Sequence, residues 1–312
     1  MEKILRNSNF TRKIGIIASL LVLSLLFTIL TDKFLTIGNL LNVLQQAAIN
    51  LCVAVGMTFV IITGGIDLSV GSVMALSGML MAQMMAAGIP PIAAVLLGLA
   101  IGTGLGATNG VLIAKLQLQP FLITLGTMSA YRGITLIISN GLPVRSFSIP
   151  FVNFMSCLNG SVPLPIIISL ILAFAAMFVM KYKKFGQYLF AVGGNEEATR
   201  LSGINTHKIK IITYAFSGFT SSLAAVIFLG RLAAADPQAG SGYEMNAIAA
   251  AAIGGASLAG GKGSIVGTII GCLILQTLNN GLTLLNVQSF YQTFAIGIIV
   301  IVATIIDRYS AK

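Results

Sequence analysis

A series of long apolar runs constrains the fold of this chain more than any other feature of its sequence. A membrane-spanning helix needs about 20 consecutive, mostly apolar residues, and the sequence offers ten candidate spans. The eighth is short and rich in Gly and Ala, which predicts a broken or re-entrant helix. The candidate spans are residues 14–31, 40–63, 68–88, 90–112, 120–139, 164–180, 211–229, 245–259, 264–285 and 290–306.

The composition predicts an all-α polytopic membrane protein embedded in a lipid bilayer. Hydrophobic residues make up 56% of the chain and charged residues 8%, whereas soluble domains carry about 25% charged residues. The net charge of +10 does not predict a nucleic-acid partner, because the basic residues share no single face or helix. Cys52, Cys157 and Cys272 are far apart and His207 is the one histidine, so we expect no metal site, cofactor or Ser–His hydrolase.

The distribution of Lys and Arg predicts the orientation. With a cytoplasmic N-terminus and alternating spans, fourteen basic residues fall in cytoplasmic segments, three fall outside, and Arg132 lies within a span. Cytoplasmic loops of membrane proteins carry such an excess. Both termini and the polar interval 186–210 are therefore expected in the cytoplasm. The first apolar run lacks a small-residue cleavage site, so we interpret it as an uncleaved span rather than a signal peptide.

The interval 186–210 is the longest polar stretch between two apolar runs, and its core resembles a short helix. Asn195 is a typical N-cap, and Glu196 and Glu197 would lie in the first turn, where the helix dipole favours negative charge. Gly203 is expected at C′, with positive φ. So short a helix is marginal alone in water and must rest on its own membrane domain or on a partner. From these residues alone, an ordinary capped surface helix and a functional one are equally good interpretations.

Two charged residues near the spans are candidates for a translocation path. Arg132 lies inside an apolar run, and intramembrane charges usually face the bundle interior or a water-filled cavity. The alternative is that Arg132 snorkels to the outer interface. Asp67 precedes the third span, and its alternative role is that of the helix N-cap.

Asn279 and Asn280 in the ninth span are two further path candidates. Paired amides within a membrane can hydrogen-bond a polyhydroxyl ligand, although bridging between helices is their commoner use. Gln45 and Gln46 in the second span are weaker candidates of the same kind.

Two glycine-rich segments, 64–71 and 254–264, echo each other, since each begins Gly-Gly and places Leu three residues after the second Gly. Transporters are often built from repeats with interrupted helices, so the echo suggests such a repeat. The second segment is not a phosphate loop, because Gly263 follows Lys262 where Ser or Thr is needed. Small residues across 102–110 predict close helix packing in the fourth span.

Five segments together form a specific pattern, and with them the chain resembles the ribose-type permeases of bacterial ATP-binding-cassette importers. That family also serves xylose, arabinose, galactose and autoinducer-2. The resemblance runs from about Phe34 to Asp307. The segments are GMTFVIITGGIDLSVGS (56–72), TLGTMSAYRGI (124–134), FAVGGNEEATRLSGI (190–204), YEMNAIAAAAIGGASLAGGKGSIVGTIIG (243–271) and NNGLTLLNVQSFYQ (279–292).

The resemblance implies an importer permease fold, with residues 1–312 as a single transmembrane domain. It implies a homodimer, a cytoplasmic ATP-binding subunit with two fused cassettes, and an extracytoplasmic sugar-binding protein. The interval 186–210 resembles the family's coupling loop, whose pattern is Glu-Ala-Ala, three residues, then Gly. Glu197, Ala198 and Gly203 match that pattern, and Thr199 replaces the second Ala.

We therefore interpret the chain as the permease subunit of an ATP-driven monosaccharide importer in a bacterial plasma membrane, with ribose as the expected sugar. It would catalyse no bond chemistry itself, since the partner would hydrolyse ATP. An ion-coupled secondary transporter and the same importer carrying another sugar are the alternatives. An intramembrane enzyme would require a paired nucleophile and base, which the sequence does not offer.

Overall fold

The computed structural model describes residues 2–145, 147–156 and 163–310, and within them the chain is a bundle of helices. One short antiparallel ladder is also present, with Val144 opposite Ala235 and Arg145 opposite Ala234. The elements are α1 (Glu2–Leu30), α2 (Ile37–Ile62), α3 (Val70–Ala86), α4 (Pro91–Lys115), α5 (Pro120–Ser139), β1 (Val144–Arg145), α6 (Ile149–Ser156), α7 (Leu164–Tyr182), α8 (Lys184–Gly194), α9 (Glu196–Leu201), α10 (Thr206–Leu232), β2 (Ala234–Ala235), α11 (Tyr243–Ile253), α12 (Ile265–Leu284) and α13 (Ser289–Ser310).

Each of the ten predicted spans contains a helix. Within the described ranges, six helices are long and apolar enough to cross a membrane: α2, α4, α5, α7, α10 and α12. Three shorter apolar helical stretches accompany them, Gly15–Leu30, Val70–Ala86 and Ser289–Val302. Helix α11, in the eighth predicted span, has 11 residues and is short, as its composition predicted. The chain is thus an all-α polytopic membrane protein, and ten crossings remain a prediction.

Helix α2 lies at the centre of the bundle. In its most apolar window 83% of the residues are buried, against 22% in α4 and 17% in α5. It packs on α7, α10, α11 and α12. Since lipid tails are as apolar as Leu side chains, close packing rather than water exclusion holds such helices together. A helix with partners on every side is therefore the scaffold on which the others are arranged.

The small residues of the fourth span pack closely, as predicted. Gly106 of α4 faces Gly218 of α10, and a Cβ built on Gly106 would lie 2.9 Å from the Gly218 Cα and amide nitrogen. Gly102 and Gly110 face α10 in the same way, whereas Gly104 has open space beside it. Helices α4 and α10 therefore touch backbone to backbone, which lipid-embedded helices achieve through small residues.

Most of the interval 186–210 is helical, and its description as a loop around one short helix is wrong. Helix α8 precedes the predicted helix, and α10 begins at Thr206 rather than at 211. The glycines of this stretch favour a loop, but Leu189 and Val192 are almost completely buried on one face of α8. Their spacing of three residues puts both side chains on the packed side, so tertiary contacts override the local preference. Helix α6 was not predicted either.

The segments 64–71 and 254–264 meet at one end of the bundle. Gly260 packs on Gly64, because a Cβ built on Gly260 would lie 3.1 Å from the Gly64 Cα and amide nitrogen. The two halves of the sequence echo are therefore neighbours in space. Segment 254–264 forms the turn between α11 and α12. We refer to this end of the bundle as the α9 end, since α8 and α9 lie against it.

Candidate functional site

The N-terminus of α9 is capped as the sequence predicts. The Asn195 side-chain oxygen accepts a hydrogen bond of 2.8 Å from the Ala198 amide. Glu196 and Glu197 occupy the first turn. Each carboxylate also forms an ion pair, Glu197 with Arg200 of the same helix and Glu196 with Lys210 of α10. The second pair ties α9 to the first turns of a long helix of the bundle.

The C-terminus of α9 also ends as predicted. Gly203 adopts a φ of +82°, a conformation that residues with a Cβ rarely take. The Gly203 amide donates to the Arg200 carbonyl at 3.0 Å, and the Ile204 amide donates to the Thr199 carbonyl at 3.3 Å. These two bonds make a Schellman motif, which satisfies carbonyls that a helix end would otherwise leave unpaired.

One face of α9 is exposed and the other rests on the protein. Thr199 is only 6% exposed, and its hydroxyl donates to the Asn195 carbonyl at 2.7 Å. Ala198 is exposed, and Leu201 is 78% exposed. Sequence reasoning missed Leu201. An apolar side chain on a short polar helix was the available signal, because such a residue gains little unless a partner covers it.

Helix α8 joins α9 to the central helix. Gly193, near the end of α8, packs against Ile62, the last residue of α2. A Cβ built on Gly193 would lie 2.6 Å from the Gly261 amide nitrogen, and it would lie still closer to the Ile62 carbonyl oxygen. The same Ile62 oxygen accepts a hydrogen bond from the Gly261 amide at 2.9 Å. Helix α8 is thus in contact both with α9 and with the end of α2.

Asp67 is buried in a polar network between the α2–α3 turn, α4 and α10. One carboxylate oxygen accepts from the Ser69 amide (3.0 Å) and hydroxyl (2.6 Å), and the other accepts from the Ser217 hydroxyl (2.8 Å). Asn109 of α4 donates to the Ser69 hydroxyl at 2.8 Å. Asp67 accepts the Ser69 amide two residues on, as an N-cap side chain does, whereas Ser69 itself makes no side-chain cap bond at the start of α3. Asp67 also braces the turn through the Ser217 hydroxyl of α10.

Arg132 is half-buried on α5 and reaches backbone carbonyls of the segment between α10 and α11. Its guanidinium donates to the Pro237 oxygen at 2.5 Å and to the Ala239 oxygen at 2.8 Å. Charge-assisted bonds of this kind are among the stronger ones. The geometry gives Arg132 a positioning role toward residues 236–242.

A polar cavity of about 230 Å³ lies between α2, α11, α12 and α13. Ten polar, uncharged side chains line it, and eight of them are amides. Helix α12 contributes the two predicted residues Asn279 and Asn280, whereas neither Asp67 nor Arg132 lines the cavity. The cavity thus groups two of the four candidate path residues. The lining residues are Asn42, Gln46 and Asn50 of α2, Tyr243 and Asn246 of α11, Gln276, Asn279, Asn280 and Thr283 of α12, and Gln292 of α13.

Hydrogen bonds fix several amides that line the cavity. Asn280 exchanges two bonds with Asn39, at 2.8 and 2.9 Å. Gln276 donates to Gln46 at 2.5 Å and accepts from Asn50 at 3.1 Å. Bridging between α2 and α12 is therefore part of what these amides do, in agreement with the alternative considered for Asn280.

Most of the lining residues were missed from the sequence, although their spacing carried a signal. On α2 they recur at 42, 46 and 50, and on α12 at 276, 279, 280 and 283. Intervals of three, four and seven place side chains on one helix face. A polar stripe on an apolar helix predicts that this face packs against another polar face. It does not predict which helix carries that second face.

Cysteine and histidine form no ligand cluster in the described part of the chain. Cys52 and Cys272 are buried and free, and Cys157 lies outside the described residues. His207 contacts the Ala114 carbonyl oxygen through Nδ1. No group of three or more His, Cys, Asp or Glu residues that could hold a metal occurs among the residues searched.

A bundle of apolar helices around a buried central helix defines a polytopic membrane protein. The chain belongs to the family described as branched-chain amino acid transport system / permease component, whose model matches residues 39–304.

Relatives of the chain carry sugar-transport names. It is 46% identical to the ribose import permease protein RbsC of Escherichia coli K12, over 93% of this chain and 92% of that relative. It is 44% identical to RbsC of Bacillus subtilis 168, over 95% and 93%. Identity to the D-allose transport system permease protein AlsC of E. coli K12 is 41%, over 97% and 94%. No solved structure matches the chain.

Proposed function

We propose that this chain is the membrane permease subunit of an ATP-driven importer for ribose. The observation that carries the proposal is the identity of 44–46% to ribose import permeases over more than nine-tenths of both chains, in two different bacteria. D-Allose is the second candidate cargo, because AlsC is 41% identical over a similar span. The chain would catalyse no bond chemistry itself.

The proposed assembly contains two copies of the chain, an ATP-binding subunit with two fused cassettes and an extracytoplasmic sugar-binding protein. The residues 1–312 form a single domain with ten crossings of a bacterial inner membrane. The excess of basic residues on one side supports cytoplasmic termini and a cytoplasmic α9 end.

Helix α9 is the proposed docking element for the ATP-binding subunit, with Asn195, Glu196, Glu197, Ala198, Thr199 and Gly203 as its defining residues. Its exposed face offers Ala198 beside Leu201, a small residue next to an uncovered apolar one. A partner that covered Leu201 would gain the free energy of burying its side chain, about 1.5–3 kcal/mol at full burial. Through α8 and Gly193, movement of the docked subunit would reach the end of α2.

The four candidate path residues keep a proposed role in transport, but the role of Asn279 and Asn280 differs from that of Asp67 and Arg132. The two asparagines are proposed to contact the sugar, since they line the polar cavity. Asp67 and Arg132 are proposed to hold two neighbouring segments, because Gly71, four residues after Asp67, packs on Gly240 of the segment that Arg132 contacts. A proton-coupled mechanism would require an acid on the path that exchanges protons, whereas Asp67 accepts three hydrogen bonds and does not line the cavity.

Reconstitution tests the proposal. The chain, its ATP-binding subunit and its binding protein are placed in proteoliposomes, and uptake of labelled ribose is followed with ATP on the α9 side. We expect uptake that requires hydrolysable ATP and is absent with a non-hydrolysable analogue. Uptake driven by a proton or sodium gradient without ATP would contradict the ATP-driven mechanism. Uptake of labelled allose in preference to ribose would show that allose, rather than ribose, is the transported sugar.

A further inference from the structure

We infer that the polar cavity between α2, α11, α12 and α13 is a binding site for one neutral polyhydroxy molecule of monosaccharide size, built entirely from one copy of the chain. The inference rests on the proposed function for the identity of the sugar, and on the cavity itself for the class of ligand. A volume of about 230 Å³ would hold roughly seven water molecules at about 30 Å³ each. A single sugar ring fills a comparable space.

Two unpaired acceptors indicate what the ligand must supply. The side-chain oxygens of Asn50 and Asn279 are buried and have no hydrogen-bond partner, and both residues line this cavity. Asn50 as a whole is only 8% exposed. A buried acceptor without a donor is costly, so such groups normally find a partner in the working state. Hydroxyl groups are donors that also accept, which suits a wall of amides.

The orientation of Asn50 is held by its neighbours. Its amide nitrogen donates to the Gln276 oxygen at 3.1 Å, and the Gln276 nitrogen in turn donates to Gln46 at 2.5 Å. Because the nitrogen of Asn50 is engaged by α12, its oxygen is left free for a ligand. The amide pair of Asn280 and Asn39 fixes the neighbouring turn of α12 in the same way. A site whose side chains are already oriented loses less entropy when it binds.

The lining contains no charged side chain, which favours a neutral ligand. Arg231 lies nearby but is not part of the lining, and its guanidinium donates to the Asn42 oxygen at 2.8 Å. A carboxylate or phosphate entering the cavity would lose its hydration among neutral lining side chains, and the charge of Arg231, one hydrogen bond away from the lining, would offset part of that cost. We therefore expect neutral sugars and sugar alcohols to bind more tightly than sugar acids.

The absence of tryptophan from the sequence allows a direct binding test. Tyr291→Trp places a single tryptophan in the purified full-length chain on an exposed aromatic position that adjoins the lining residue Gln292 without lining the cavity itself. Phe174→Trp, on an exposed position of α7, is the matched reporter outside the cavity. Ribose, allose, ribitol and ribonate are titrated separately, and the fluorescence change is recorded in both single-tryptophan variants.

We expect a saturable change with the three neutral compounds in Tyr291→Trp, weaker binding of ribonate, and no change with any compound in Phe174→Trp. Adding Asn279→Leu should weaken binding about tenfold, the factor that corresponds to about 1.4 kcal/mol. Adding Asn279→Asp, which keeps an acceptor at that position, should weaken it less than Asn279→Leu does. No saturable change with any neutral compound, or binding unaffected by Asn279→Leu, would overturn the inference and leave ordered water as the content of the cavity.

Failure of this inference is distinguishable from failure of the proposed function. In one outcome, the wild-type complex and the Asn279→Leu complex both import ribose with ATP at the same half-saturating ribose concentration. That result would support the importer and would contradict the binding site in the cavity. If the wild-type complex imports no ribose but the titration with allose or ribitol saturates, the site stands and the cargo must be reassigned.

Discussion

The backbone amide of Gly261 donates to the carbonyl oxygen of Ile62 across 2.9 Å, and that oxygen belongs to the last residue of the central helix. Gly193 of α8 packs on the same carbonyl. Three segments far apart in sequence thus meet at one peptide group. Helix α9 is therefore linked to the bundle at two places, at this junction through α8 and at α10 through the Glu196–Lys210 ion pair.

Gly193→Ala should disturb this junction. Its Cβ would lie 2.6 Å from the Gly261 amide nitrogen, so α8 must move away from the end of α2. Overpacking of this kind costs about 1–3 kcal/mol. We expect a lower thermal unfolding temperature and weaker sugar uptake per ATP hydrolysed. Gly194→Ala is the matched control, because it has nothing within 4 Å. Equal behaviour of the two variants would show that the contact is not needed.

Gly203→Val should leave the bundle folded but weaken the attachment of the ATP-binding subunit. Gly203 has open space around it and a φ of +82°, so the cost is backbone strain of roughly 1 kcal/mol or more rather than a clash within the chain. Gly203→Asn is the control, since Asn tolerates this conformation better. The measurement is co-purification of the tagged variant with the ATP-binding subunit, together with ribose uptake.

A second variant, Leu201→Ser, tests the same surface without backbone strain. Leu201 is 78% exposed, so its replacement should leave the stability of the isolated chain unchanged. We expect less ATP-binding subunit to be retained. If Gly203→Val and Leu201→Ser both retain the subunit and transport normally, α9 is an ordinary capped surface helix.

Arg132→Ala should lower sugar uptake although the complex still assembles. The variant loses both hydrogen bonds to Pro237 and Ala239, which frees the segment between α10 and α11. Arg132→Lys should recover part of the uptake, because both bonds leave one guanidinium nitrogen and an ammonium group, although on a shorter side chain, has donors enough for two carbonyls. Exposed Arg145→Ala serves as the control. Normal uptake by well-expressed Arg132→Ala would remove this residue from the transport process.

Asp67→Ala should destabilise the membrane domain itself. The change leaves the Ser69 amide, the Ser69 hydroxyl and the Ser217 hydroxyl without their acceptor. Each buried group left unpaired costs about 1–3 kcal/mol. We expect a lower unfolding temperature in detergent, whereas exposed Asp32→Ala should match the wild type. A wild-type unfolding temperature for Asp67→Ala would argue against the bracing role.

The orientation predicts that a reporter active only outside the cytoplasm is silent when fused after Lys312. The fourteen-to-three distribution of basic residues is the reason. The same reporter inserted after Gly88, between α3 and α4, should be active and is the positive control. Activity at the C-terminal fusion would overturn the even number of crossings.

Features that depend on neighbouring residues could be predicted from the sequence, and features that depend on distant ones could not. The caps at Asn195 and Gly203 are local, because each satisfies backbone groups within a few residues. Helix α8 was missed because its stability comes from the burial of Leu189 and Val192 against other helices. Arg132 was recognised as unusual, but its partners lie more than 100 residues away.

The polar cavity shows the same difference between features set by neighbouring residues and features set by distant ones. Asn279 and Asn280 were singled out as a pair, whereas Asn50 gains its significance only when α12 lies beside α2. The periodic amides on each helix could have been recognised. Their convergence depends on helix pairing, which the periodicity of one sequence does not determine.

The central position of α2 has a consequence for biosynthesis. This helix leaves the ribosome second, yet α10, α11 and α12, on which it packs, are translated some 140 residues or more later. Until then only earlier helices such as α7 and lipid can cover it. Its sequence must therefore suit two environments in succession, a hydrocarbon solvent during translation and protein afterwards. That double requirement explains why α2 is as apolar as α4, which is far less buried. In the finished molecule α2 is mostly enclosed by other helices.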